Sequence, residues 1–222
     1  GLNGHGFWNL AYPMGNSHGG LVELNGQWYI FDHRMTNNSA FSRQGVAEPI
    51  VIAPNGTIKQ VESTSCGLNG GPLQDCGTYP AYIACNLMSR KWFGKFRHPQ
   101  KSPYIKCDGA DGDETAESYI SGIKNGYTAG FKYFACSGGN YELTVTIRGN
   151  NGKLSLSTQE DERSVVGNLT FPQSERWQSC RFSCTIPEGK QALFFTYHGS
   201  GSIEMMNFTI KRMEETSYGR KT

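Results

Sequence analysis

The chain has 222 residues, enough to bury a core as one large β domain or as two smaller ones. Its 21 Lys and Arg against 19 Asp and Glu leave a net charge of +2, which excludes a chain-wide electrostatic footprint for nucleic acid or an anionic membrane. No apolar run approaches the ~20 residues of a spanning helix, so neither nucleic acid nor membrane is expected as a partner. The 28 Gly, 12 Phe and 11 Tyr favour short strands joined by tight turns, and the fold class is read as all-β. The sequence starts with Gly rather than Met, which suggests a start after a processing site or inside a longer reading frame.

Residues 1–62 are rich in Gly, Asn and aromatics. LVEL and QWYIFDH flank Asn25-Gly26, a pair whose tolerance of positive φ suits a two-residue hairpin turn. A second turn is expected at Pro54-Asn55-Gly56 after EPIVIA, giving a small antiparallel sheet.

Residues 63–103 hold Gly67, Gly70, Gly71, Pro72, Gly77, Pro80, Pro99 and Pro103 and keep no period, so they read as an irregular connector. Between Cys76 and Cys107 six basic residues are interleaved with aromatics, a texture that a single-stranded nucleic-acid groove would use. The acidic run from Asp108 to Glu117 follows directly and offsets it. That run lacks the order of an EF-hand loop and reads as a turn.

From residue 104 to 213 short alternating segments recur. YELTVTIRG puts Leu143, Val145 and Ile147 on one face, and Gly149-Asn150-Asn151-Gly152 turns the chain into KLSLSTQ. GFKYFAC, VGNLTF, WQSCRFSCTI, ALFFTYHG and SIEMMNFTI supply further strands of an antiparallel sandwich or jelly roll. Residues 214–222 form a polar tail. Seven cysteines leave at least one without an intrachain partner, and none is spaced for zinc. In CRFSCTI, Cys180, Phe182, Cys184 and Ile186 alternate as a buried strand face, which favours free thiols; pairing among Cys66, Cys76 and Cys85 stays open.

Ser17-His18-Gly19-Gly20, Trp28-Tyr29, Asp32-His33-Arg34, Phe41-Ser42-Arg43-Gln44 and Ala47-Glu48-Pro49 together resemble the closing blade of the five-bladed β-propeller of glycoside hydrolase family 43. The resemblance continues through CGLNGGPL and GTYPAYIACNL. The later segments, with Trp177, are similar to a module of carbohydrate-binding module family 6, which often follows that propeller. Residues 1–62 are thus expected as the blade, 63–103 as connector and 104–213 as the sandwich.

The family resemblance implies an inverting hydrolase of arabinofuranosyl or xylosyl linkages in xylan, arabinoxylan or arabinan. Inversion uses an acid and a base about 6.5–9.5 Å apart, flanking the attacking water. In the family the three carboxylates come from earlier blades. The blade strands here carry Glu23, Asp32 and Glu48, and Glu48 matches a family position outside that set, so no catalytic residue is assigned to this chain. Five blades of about 40–50 residues exceed the length that precedes the sandwich. The chain is therefore expected to be the C-terminal part of a larger enzyme, inactive without its N-terminal blades.

The resemblance places His18 at the floor of the cleft, near a hydrated calcium at the propeller axis, and makes Arg43 a substrate or carboxylate contact. Calcium prefers oxygen, so His18 would only complete such a shell. His33 would orient the site or cap the sheet. Among the sandwich aromatics Tyr133, Tyr197 and Trp177, the last, beside Arg176 in a turn, is the expected sugar-stacking residue. Phe131, Phe182 and Phe195 fit core positions. Gly199-Ser200-Gly201-Ser202 stands where the family carries a binding Asn, which leaves bracing of the propeller as another role for the module. The rival reading is a stand-alone carbohydrate-binding or structural β protein. Sequons at Asn37, Asn55, Asn168 and Asn207 establish no secretory route. A polymeric substrate favours an extracellular or cell-surface location.

Overall fold

A computed structural model of the chain describes residues 18–92, 96–97, 101–110, 113 and 115–213. Its first unit is a three-stranded antiparallel sheet of β1 (Gly20–Leu24), β2 (Gln27–Thr36) and β3 (Ser39–Ile50) in the order β1-β2-β3. Asn25 and Gly26 both take positive φ, and the turn sets Leu24 opposite Gln27. Asn37 and Asn38 make the second turn with the same conformation. The expected turn at Pro54-Asn55-Gly56 is present: Gly56 has φ +81° and Ala53 N–H donates to the Thr57 carbonyl at 2.9 Å.

The connector is less irregular than its sequence suggests. It contributes β4 (Leu73–Gln74), β5 (Gly77–Pro80) and β6 (Asn86–Met88) to the edges of the sandwich, and β7 (Lys91–Trp92) pairs with β8 (Phe96–Arg97). Strands of two to four residues are too short to leave a readable alternation.

The sandwich is built from β9 (Tyr104–Cys107), β10 (Ser118–Lys124), β11 (Thr128–Gly149), β12 (Gly152–Ser157), β13 (Val165–Phe171), β14 (Ser174–Gly199) and β15 (Ser202–Arg212). Two strands here replace four expected from the sequence. GFKYFAC and YELTVTIRG fuse into β11, and WQSCRFSCTI and ALFFTYHG fuse into β14. The turn residues between them bend the chain without reversing it. Cys136 pairs with Gly189 and Ser137 with Glu188, so Gly138, Gly139 and Gly189, all at positive φ, sit together in one bend of the ribbon.

Below the bend, Thr128–Ala135 pairs with 190–196, flanked by β12 and β13 on one side and β6 and β4 on the other. Above it, Gly139–Ile147 pairs with 178–186, and β15 joins β11, followed by β10 and β9 at one end and β5 at the other. The two layers face each other through Phe131, Phe134, Phe195 and Phe208, each under 2% exposed. Phe208 stands 4.7 Å from the Phe131 ring and 5.2 Å from that of Phe195, with Tyr79 of the connector at 5.6 Å. Phe131 and Phe195 are core, as expected; Phe182 is half-buried against it. In the CRFSCTI face Cys184 and Ile186 are buried and Cys180 is intermediate. All seven cysteines are free thiols.

Candidate functional site

Three of the expected blade residues, His18, His33 and Arg43, lie toward one end of the small sheet. Gly19 passes so close to β2 that a side-chain carbon there would lie 2.0 Å from the Phe31 carbonyl oxygen, so only glycine admits this approach. The approach sets His18 against His33, with ring centroids 4.5 Å apart and planes at 73°. His33 pairs with Gly45 and Met35 pairs with Arg43, so strand alternation places His33 and Arg43 on the same face. Nothing lies within 4 Å of the position a Gly45 side-chain carbon would take, which leaves the space between them open. His18 and Arg43 are both exposed. Arg43 also borders a cavity of about 250 Å³ shared with Tyr82, Ile105 and Asp113.

The opposite face is anchored. Arg34, only 6% exposed, donates to the carbonyls of Ala84 and Tyr82 and to Gln44 Oε1, and Gln44 donates to the Tyr82 carbonyl at 3.2 Å. Asn37 N–H donates to the Ile105 carbonyl at 2.7 Å, and Cys107 N–H donates to Asn37 Oδ1 at 2.8 Å. Five polar links thus tie β2 and β3 to the connector and to β9.

The carboxylates do not form an acid–base pair. Glu23 is exposed on β1, and Asp32 Oδ1 accepts the His33 N–H at 2.7 Å. Glu48 is buried and accepts from the Thr64 backbone and, at 3.0 Å, from its hydroxyl; burial holds its carboxyl above the usual range in spite of these donors. Glu62, at the end of the blade segment, went unnoticed in the sequence. It accepts from Lys132 Nζ at 2.9 Å and from the Tyr133 hydroxyl at 2.6 Å. Burial opposes its ionisation, but these donors win and hold its pKa below the ordinary value.

Among the described residues no group of three His, Cys, Asp or Glu side chains converges on one point. Calcium requires six to eight oxygen ligands. Among the described residues at this end of the sheet, His18 and His33 offer nitrogen and Asp32 a single carboxylate, fewer than the oxygen ligands of a calcium shell.

Trp177 is not brought into this group. It lies in β14 rather than in a turn, half-buried, edge-on to Tyr119 at 5.3 Å and beneath the Arg148 guanidinium at 4.3 Å. Tyr197 is fully buried, its hydroxyl within 2.9 Å of the carbonyls of Asn151 and Ser200, which share its one proton. Tyr133 is held by Glu62 and covered by Lys190, 4.0 Å from the ring centroid. A polar groove of about 590 Å³, lined in part by Arg90, Asn125 and His198, was not anticipated. At its rim three consecutive acids each meet a basic group from a different strand. Glu160 meets Lys132 at 3.5 Å, Asp161 meets Lys91 at 2.5 Å and Glu162 meets His198 Nε2 at 2.8 Å.

No protein-family model matches the chain. A protein of Thermoclostridium stercorarium named xylosidase/arabinosidase is 43% identical over 210 residues, covering 90% of this chain. The chain is a relative of that xylosidase/arabinosidase. It spans 43% of this relative's length. Its fold is that of part of a family 43 arabinoxylan arabinofuranohydrolase from Bacillus subtilis, with a TM-score of 0.59 and 17% identity over 89% of this chain and 41% of the other. A β-1,3-glucan-binding family 6 module from Bacillus halodurans superposes along its whole length on 64% of this chain, with a TM-score of 0.52 and 11% identity. The resemblance to part of a family 43 enzyme and to a family 6 sandwich is borne out in fold, and the sequence kinship is to a xylosidase/arabinosidase.

Proposed function

We propose that the chain is the C-terminal part of an inverting glycoside hydrolase that removes arabinofuranosyl or xylosyl units from xylan, arabinoxylan or arabinan. The 43% identity to a xylosidase/arabinosidase over nine-tenths of the chain carries this reading. In it, His18, His33 and Arg43 form one wall of the cleft. The imidazoles orient groups near the axis, and the fixed donor fork of Arg43 holds a carboxylate or paired sugar hydroxyls. The acid and base come from blades outside this chain, as does any oxygen shell for calcium, to which His18 would add a single nitrogen. The polar links from Arg34, Gln44 and Asn37 let the sandwich brace the blade, and Trp177 is the aromatic through which the module would meet glycan. A polymeric substrate favours a location outside the cell or on its surface.

Hydrolysis of aryl α-L-arabinofuranoside and aryl β-D-xyloside tests the reading. A longer protein that carries the additional blades is expected to release aryl alcohol, and the 222-residue chain to release none. Turnover by the chain alone would overturn the assignment of its residues to a supporting role. Arg43→Ala in the longer protein is expected to lower kcat/KM by about 10²-fold or more, the size found when a positioning donor is removed.

A further inference from the structure

The sandwich surface around Trp177 is already filled. Arg148 projects from β11 over two aromatic rings that meet edge-on, with its guanidinium carbon 4.3 Å from the Trp177 centroid and 5.1 Å from that of Tyr119. The group is fastened at both ends. Arg148 Nε donates to Glu204 Oε2 at 2.5 Å, and Nη2 donates to the Tyr119 hydroxyl at 3.1 Å. Glu204 is itself fixed by the Ser121 hydroxyl at 2.7 Å, and the Tyr119 hydroxyl donates to Asp108 Oδ1 at 3.2 Å. A flat cation on the ring of a tryptophan gains cation–π attraction, and the Glu204 carboxylate at its Nε edge neutralises its charge.

We propose that Arg148 is an intramolecular plug: its guanidinium occupies the aromatic face of Trp177 that a pyranose or furanose ring would otherwise use. A sugar stacks by laying its C–H face on an aromatic plane, and a guanidinium at 4.3 Å takes the same position. The residue thereby sets which ligands the module accepts. A neutral xylan oligosaccharide has to displace a cation that is paired with Glu204, and this raises the dissociation constant of the module. The idea rests on the glycan-facing reading of Trp177, and two readouts separate it from that reading.

The first readout is acrylamide quenching of Trp177 fluorescence in the 222-residue chain, taken as the difference between each protein and its Trp177→Phe counterpart. Arg148→Ala is expected to raise the quenching constant of Trp177, and an unchanged constant would overturn the plug. The second is titration with xylohexaose. The parent chain is expected to show weak or no saturable binding, and Arg148→Ala to bind at least about tenfold more tightly. Loss of binding on Arg148→Ala would overturn the proposal by making the guanidinium a ligand contact. Greater quenching with no binding in either protein would keep the plug and refute the glycan-facing reading. Glu204→Gln leaves the rings and Arg148 in place but removes the anchor. It is expected to shift both readouts in the same direction by a smaller amount, which covers the case in which Arg148→Ala does not fold.

Discussion

Arg34 of β2 donates to the Tyr82 carbonyl of the connector across 2.5 Å. The same guanidinium serves the Ala84 carbonyl and Gln44 Oε1, so one buried side chain satisfies three acceptors from two parts of the chain. Removing it takes this donor from the Ala84 carbonyl and Gln44 Oε1 and leaves the Tyr82 carbonyl with Gln44 alone, at about 1–3 kcal/mol for the first and less for each that finds water. Arg34→Met is expected to lower the unfolding free energy by about 2–4 kcal/mol. Urea unfolding of the purified chain measures it, and a loss under about 0.5 kcal/mol would show that the tie is dispensable.

Phe208 joins the two layers and the connector in one aromatic cluster. Phe208→Ala deletes the ring in contact with Phe131, Phe195 and Tyr79, and a loss of about 3–5 kcal/mol is expected from the transfer and cavity terms together. Phe182→Ala, at a half-buried position, is expected to cost less than half as much. Equal losses in urea titrations would contradict the assignment of Phe208 to the centre of the core.

Two carboxyls give opposite pH dependences. Burial works against ionisation of Asp75, but the Ser137 N–H and the Tyr141 hydroxyl, each donating at 2.7 Å, outweigh it and lower its pKa. Its contribution is complete above the unfolded-state value of about 3.9 and is lost as pH falls through the lower folded value. Glu48 is raised by burial, so the chain loses stability as pH climbs from about 4.3 through the raised folded value. Asp75→Asn is therefore expected to flatten the acid limb of the stability profile, and Glu48→Gln to flatten the decline above it. Parallel profiles for parent and variants would refute both.

The thiols should divide by environment. Burial pushes Cys85 and Cys136 up to about 11 and Cys184 up to about 12, which leaves almost no thiolate at pH 8. Cys76 is exposed. Labelling with an aromatic disulfide near neutral pH is expected to modify Cys76 first and the three buried thiols only after denaturant is added. Mass spectrometry of tryptic peptides assigns the order, and early modification of Cys85 would contradict its place in the core.

The turns that need positive φ were legible: Asn25-Gly26 and Pro54-Asn55-Gly56 stand where their chemistry put them. Asn37-Asn38 carried the same signal and went unread. Gly138-Gly139 and Pro187-Glu188-Gly189 misled, because a glycine that bends a strand looks in sequence like one that ends it. The adjacency of His18 and His33 depends on Gly19, whose need for close approach is visible only in three dimensions. Arg34, Glu62 and Arg148 escaped because the importance of each lies in partners 48, 71 and 56 residues away. A charged residue on an alternating strand reads as solvated until the segment that covers it is known.

β11 and β14 each belong to both layers and are paired along nearly their full lengths, from Thr128↔Thr196 to Gly149↔Ser174. Tension applied to either strand is therefore carried as shear across one long ladder that must yield as a whole, and the layers cannot slide apart by breaking their packing alone. A module with this load path passes force from one layer to the other without slack.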